Sequence, residues 1–141
     1  MTLRTRTRLC ITLILLGLAN FIGYATAYAL IKGDAANGRV ENGRYFVRGH
    51  FIHGPDGRER EVSRSVWIYS YAHSITIWPT VACILLSMLA LSRPLIVAAY
   101  SDGAIRGGLL VGIIGGVIVV VTGGLTLFFV VDFVRHLTRY G

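Results

Sequence analysis

Residues 107–134 form an apolar run whose only ionisable group is Asp132, near its far end. A run of that length exceeds the ~20 residues that cross ~30 Å of hydrocarbon as a helix. Within it Gly108, Gly112, Gly116 and Gly124 follow i, i+4 spacing, and Gly115 and Gly123 lie on the adjacent row. In water each interior glycine would weaken a helix by about 1 kcal/mol relative to alanine. In lipid the backbone has no alternative to internal hydrogen bonding, so the helix persists, and the missing side chains let another helix approach closely. The run is read as a membrane span, and these glycines as its helix-packing surface.

Two more runs match it. Residues 9–31 carry no charge, and residues 66–91 carry His73 as their only ionisable group. The chain is 54% hydrophobic with a mean hydropathy of +0.63, and that excess is concentrated in the three runs. The expectation is an all-α transmembrane protein, a single domain over residues 1–141, with spanning helices at about 9–31, 66–91 and 107–134. Arg4, Arg6 and Arg8 before the first run, with Ala25-Thr26-Ala27 or Ala27-Tyr28-Ala29 within it, resemble a signal peptide. The run nevertheless continues to Ile31 with no polar segment before the small residues. An uncleaved anchor is the reading adopted.

The polar residues between the first two runs predict a small β-meander at about 38–63. Asn42-Gly43 is a strong two-residue hairpin signal, placing strands at 38–41 and from Arg44 through Gly49 to His53. Gly54-Pro55-Asp56-Gly57 is a turn, because proline presets φ and the glycines accept positive φ. Residues 58–63 return as the third strand, its edge guarded by Arg58, Glu59, Arg60 and Glu61. Gly49 in mid-strand predicts a bulge or bend. Such a ribbon is marginal alone, so it is expected to pack on the helix ends. Trp67, Tyr69, Tyr71 and Trp78 are expected as an interfacial belt. Arg93-Pro94 is expected to close the second helix.

The net charge of +7 comes from short segments flanking the runs, which points to anionic lipid headgroups rather than nucleic acid. Orientation is two-sided. Counted over the loops, arginine and lysine favour the meander inside. The tight cluster of Arg4, Arg6 and Arg8 beside the first span favours the amino terminus inside and the meander outside, and that assignment is adopted. Cys10 and Cys83 fall at depths roughly 10 Å apart in an antiparallel pair, too far for a disulfide.

His73, Thr76, Thr80, Cys83 and Ser87 are spaced 3, 4, 3, 4 and share one helix face beside Pro79. Such a stripe can line a polar path, or it can be an ordinary seam of small residues packed against the glycine-rich third helix; the seam is the simpler reading. For His73, a hydrogen bond to Asp132 or a tyrosine is expected over proton relay or haem ligation. His50, His53 and His136 offer no fixed second ligand, and no cofactor or metal is expected. Ala19, Gly23 and Ala27 give the first helix its own small-residue row, with Asn20, Tyr24 and Tyr28 beside it able to hydrogen-bond across helices. The helices can pack within one chain or between copies; the rows do not distinguish these. No nucleophile–base set is visible, so an enzyme is not expected.

The segments Asn42-Gly43-Arg44-Tyr45 and Glu61-Val62-Ser63-Arg64-Ser65-Val66-Trp67-Ile68-Tyr69-Ser70, followed by His73, resemble a pattern in small uncharacterised bacterial inner-membrane proteins. The resemblance covers about a quarter of the chain; it implies a bacterial inner membrane and nothing about activity. The expected partners are the lipid bilayer and either a membrane protein or further copies of the chain. The expected role is a non-enzymatic accessory protein docking through the meander. The alternative is a transport or channel component lined by the His73–Ser87 stripe.

Overall fold

In the computed structural model, residues 2–49, 59–101 and 106–140 are described, Arg139 and Tyr140 without their side chains. The chain runs α1 (Leu3–Ile31), β1 (Asp34–Glu41), β2 (Arg44–Arg48), β3 (Glu59–Val62), α2 (Arg64–Ala99), α3 (Gly107–Tyr140). All three helices are long and apolar enough to cross a membrane. The Thr2 hydroxyl caps α1 and the Ser63 hydroxyl caps α2, each accepting from a backbone N–H three residues on. This is the satisfaction an exposed helix start requires. Lys32 ends α1 in the left-handed conformation, φ 63°.

Helix α2 lies between the other two and packs along both, whereas α1 and α3 share no comparable interface. The strands form one antiparallel sheet in the order β1-β2-β3. Asn42 and Gly43 both take positive φ, 50° and 75°, as the tight hairpin turn demands. The inner side of the sheet sends Val40 and Val47 onto Trp67 and Tyr71 of α2, with Ala35 completing the buried cluster and Phe133 of α3 packed against it. Val47 is fully buried, and Trp67 and Tyr71 are each 1% exposed. These two aromatics are therefore core and not interfacial belt, and only Tyr69, 55% exposed, stands out as the belt expectation had it. A ribbon too small to hold itself gains its stability from burying one face on the helices.

The structure departs from the sequence reading at both ends of the meander. Strand β1 starts at Asp34, with its register shifting between Asp34 and Arg39. Strand β2 ends at Arg48, and Gly49 lies against the backbone of Lys32 and Gly33, where a side chain would collide. Gly49 thus serves close approach, not a bulge. Residues 50–58, including His50, His53 and the Gly54–Gly57 turn, lie outside the described residues.

Helix α2 continues through both Pro79 and Pro94 to Ala99, so Pro94 does not close it. The extra turn is used. A Cβ on Gly107 would fall 2.7 Å from the Val97 Cα and 2.8 Å from the Ile96 carbonyl oxygen, so α3 starts hard against that segment.

The glycine row is also placed differently. A Cβ added at Gly108, Gly112, Gly116, Gly123 or Gly124 would meet nothing within 4 Å, and only Gly115 faces a neighbour, with Leu89 3.6 Å away. Four residues turn a helix by about 400°, so an i, i+4 row drifts ~40° per step and ~160° from Gly108 to Gly124. Within the chain that row stays clear of α2. The seam actually used on α3 steps 3, 4, 3, 4 through Gly115, Ile118, Thr122, Leu125 and Phe129, all at least partly buried. The tight contact between α1 and α2 is at Gly17, where a Cβ would lie 2.6 Å from Ile84. Of the α1 row, a Cβ added at Gly23 would lie 3.8 Å from the His73 ring, while Ala19 is exposed and Ala27 half-buried.

Two contrasting outcomes are expected in detergent. Gly17→Leu lowers the thermal midpoint by several degrees, since the branched side chain must displace Ile84 or the helix itself. Gly112→Ile and Gly116→Ile leave the midpoint of the folded chain unchanged, and a fall in cross-linked oligomer in those variants would assign the open row to contact between copies.

Candidate functional site

The most concentrated polar chemistry lies where β1 meets the helices, around a carboxylate that the sequence reading passed over. Asp34 opens β1 immediately after Lys32-Gly33 and is 3% exposed. The Tyr24 hydroxyl of α1 donates to its Oδ2 at 3.0 Å. Its Oδ1 accepts the Ala36 N–H at 3.1 Å and the Ser70 hydroxyl at 3.4 Å. The Ser74 hydroxyl lies 2.6 Å from Oδ1 and 2.8 Å from the Ser70 carbonyl oxygen, so its one proton serves one of them at a time. Ser70 in turn accepts the Ala35 N–H at 3.1 Å. Helix periodicity explains the pairing, because residues 70 and 74 stand one above the other on α2.

Every neighbour of the carboxylate is a neutral donor, and among the described residues no basic side chain forms an ion pair with it. Beside it is a cavity of about 250 Å³ between α1, β1, α2 and α3, walled by Tyr24, Asp34, Asn37, Ser74, Trp78 and Phe129. The Trp78 and Phe129 rings stack, with centroids 5.9 Å apart and planes 20° from parallel. A buried acceptor beside aromatic faces suits a small cationic or donor-rich group.

A second carboxylate lies on α3. Tyr71 donates a short hydrogen bond to Asp132, and His136 Nδ1 stands 3.4 Å from Asp132 Oδ2 and 2.9 Å from the Asp132 carbonyl oxygen. His136 also lies against the Trp67 and Tyr71 rings. This network ties the carboxyl-terminal part of α3 to the aromatic cluster under the sheet.

His73 does not bond Asp132, which Tyr71 and His136 occupy. Its ring sits edge-on between Tyr24 and Tyr69, each 5.6 Å away, with Nδ1 buried and unpaired. The rest of the stripe faces α1. Asn20 Nδ2 donates to Thr80 at 2.8 Å and to Thr76 at 3.2 Å, and Thr80 also backs onto Gly17. An open groove of about 330 Å³ runs there, with Thr76, Thr80 and Cys83 on one wall and Leu13, Leu16 and Asn20 on the other. Ser87 is buried, and Cys10 and Cys83 are unpaired. Both hydroxyls also donate to their own helix, Thr76 to the His73 carbonyl and Thr80 to that of Thr76. That is the behaviour of a packing seam.

Among the described residues no group of three histidine, cysteine or acidic side chains could hold a metal ion. Comparison with protein-family models, curated proteins and solved structures finds no match. One local signal could have flagged Asp34, a lone acidic residue between an apolar run and the hairpin. Ser70 and Ser74, at helical spacing, were the matching half.

Asp34→Ala leaves Tyr24 and Ser70 without their acceptor while Ser74 keeps the Ser70 carbonyl oxygen, and loss of roughly 1–3 kcal/mol is expected for each buried donor stranded. The check is thermal unfolding together with faster amide exchange at Ala35 and Ala36. Thr76→Ala and Thr80→Ala should each change stability by well under ~1 kcal/mol, the usual range for hydrogen bonds between apolar spans.

Proposed function

We propose that this protein is a non-enzymatic accessory component of the bacterial inner membrane, docking a partner protein through the outer face of its meander. The observation carrying the reading is the composition of that face. Arg39 pairs with Glu59 at 3.1 Å and with Glu41 at 3.5 Å, Arg44 forks onto Glu61, and both guanidinium groups sit over the Phe46 ring. Exposed pairs of this kind add only ~0–1 kcal/mol each to folding. A patterned charged surface around one aromatic is better suited to selecting a partner and fixing its register. The face is also held rigid from behind by Val47, Trp67 and the Asp34 hydrogen bonds.

A path along the His73–Ser87 stripe has weaker support, since Asn20 and Gly17 of α1 already occupy its middle. The adopted orientation puts the amino terminus in the cytoplasm and the sheet outside. With Cys10 and Cys83 replaced, Asn42→Cys should react with an impermeant thiol reagent in intact cells, and Ser101→Cys should react only after lysis. The reverse pattern would place the meander in the cytoplasm.

Arg44→Glu is expected to remove a partner cross-linked in native membranes. The double variant Arg44→Glu, Glu61→Arg restores the intramolecular pair and the thermal midpoint, yet should still fail to capture the partner. Undiminished capture by both variants would remove the meander face from the argument. The same pair gives a pH signature. Its hydrogen bond to Arg44 holds the Glu61 carboxyl below the usual 4.5. The small stabilisation is therefore present above that value and is lost as the pH falls through the lowered one.

A further inference from the structure

We propose that the cavity beside Asp34 binds a primary ammonium group, the chemistry of an ethanolamine headgroup. Three features converge on it. Asp34 is almost fully buried, and its surrounding hydrogen-bond partners are neutral; a buried acidic group in such a setting ordinarily has a cation beside it. Its two oxygens are unevenly used. Oδ1 is approached by Ala36 N–H, Ser70 and Ser74, while Oδ2 accepts from Tyr24 alone among the described residues. A carboxylate oxygen takes about two donors, so among the described residues Oδ2 has one acceptor position left. That oxygen belongs to a residue lining a cavity of about 250 Å³, ample room for a two-carbon ammonium.

The remaining walls fit the same group. Trp78 and Phe129 offer stacked aromatic rings, which attract a cation electrostatically within about 6 Å of their faces. Asn37, exposed at the rim, adds a side-chain carbonyl as a second acceptor. The open position on Oδ2 selects among cations. A primary ammonium can donate into it, and a quaternary ammonium cannot. An anion is disfavoured by Asp34, and a divalent metal by the shortage of oxygen ligands beyond one carboxylate and one amide.

The chemistry has two sources, a phosphatidylethanolamine headgroup and a free small amine, and the experiment separates them. Full-length protein is reconstituted in phosphatidylglycerol nanodiscs and titrated calorimetrically with ethanolamine at neutral pH, with choline as the comparison. Saturable ethanolamine binding is expected, with choline about tenfold weaker or more for want of the hydrogen bond. Asp34→Asn should weaken ethanolamine binding by at least about tenfold, a charge-assisted bond being replaced by a neutral one. Asn37→Arg tests the same charge from the exposed rim without disturbing the buried contacts, and should abolish binding even if Asp34→Asn fails to fold.

In a second arm, protein extracted from membranes containing phosphatidylethanolamine is examined by native mass spectrometry. Retained phosphatidylethanolamine that excess ethanolamine displaces identifies the lipid; ethanolamine binding with no retained lipid identifies a free amine. Absence of saturable binding in both arms would overturn the proposal. Equal affinity for choline would do so too, as would full affinity in the Asn37→Arg protein.

Discussion

A single buried carboxylate joins the two halves of this protein. The helices are apolar and the sheet is short, polar and charged, and neither surface has reason to adhere to the other except where Trp67 and Tyr71 meet Val40 and Val47. Apolar contact alone sets no register. Asp34 sets it, because its oxygens are matched to Tyr24 on α1, to Ser70 and Ser74 on α2, and to the backbone of its own strand. The hydrophobic contact is non-directional, whereas the hydrogen bonds admit one arrangement. Division of labour between the two gives a small sheet a defined seat.

The same division explains why α2 is central. One of its faces carries small polar residues toward α1, where Asn20 bridges Thr76 and Thr80. Another carries bulky residues toward α3, where Trp78 stacks on Phe129 and Leu86 and Leu89 lie beside Gly115. The first amino-terminal turns of α2 serve the sheet. A helix with so many contacts needs length beyond a membrane's thickness, and α2 has it, 36 residues continued through two prolines. Proline removes one donor and bends the axis without ending the helix when neighbours hold both sides.

Much of this was legible in the sequence, and the failures share a cause. The three apolar runs, the Asn42-Gly43 turn and the cap at Ser63 are local signals, and local chemistry decides them. Asp34 stands out in the sequence only as a lone acidic residue after an apolar run, and the Ser70 and Ser74 that give it meaning lie 36 and 40 residues downstream. Trp67 and Tyr71 were read as belt because aromatics at a span's start suit an interface, and only the sheet above makes them core. Within the chain Gly108, Gly112, Gly116 and Gly124 face no other helix, since strict i, i+4 spacing winds around α3 while its seam with α2 alternates 3 and 4. The His73–Ser87 spacing alternates in that way, and at Thr76 and Thr80 it faces α1 rather than the glycine helix.

The connections between sheet and helices make the sheet a spacer. Helix α1 feeds β1 at one edge through Lys32-Gly33, and β3 at the other edge passes into α2 through Ser63. Three strands at about 4.8 Å spacing place those edges ~10 Å apart, close to the 8–10 Å or so that separates packed helix axes. Entry and exit also lie at opposite ends of the strands, Asp34 level with Arg48 and Glu59, Val62 level with Tyr45 and Val40. An even number of antiparallel strands would return the chain to the end at which it entered, so an odd count is what carries it from the end of α1 to the start of α2.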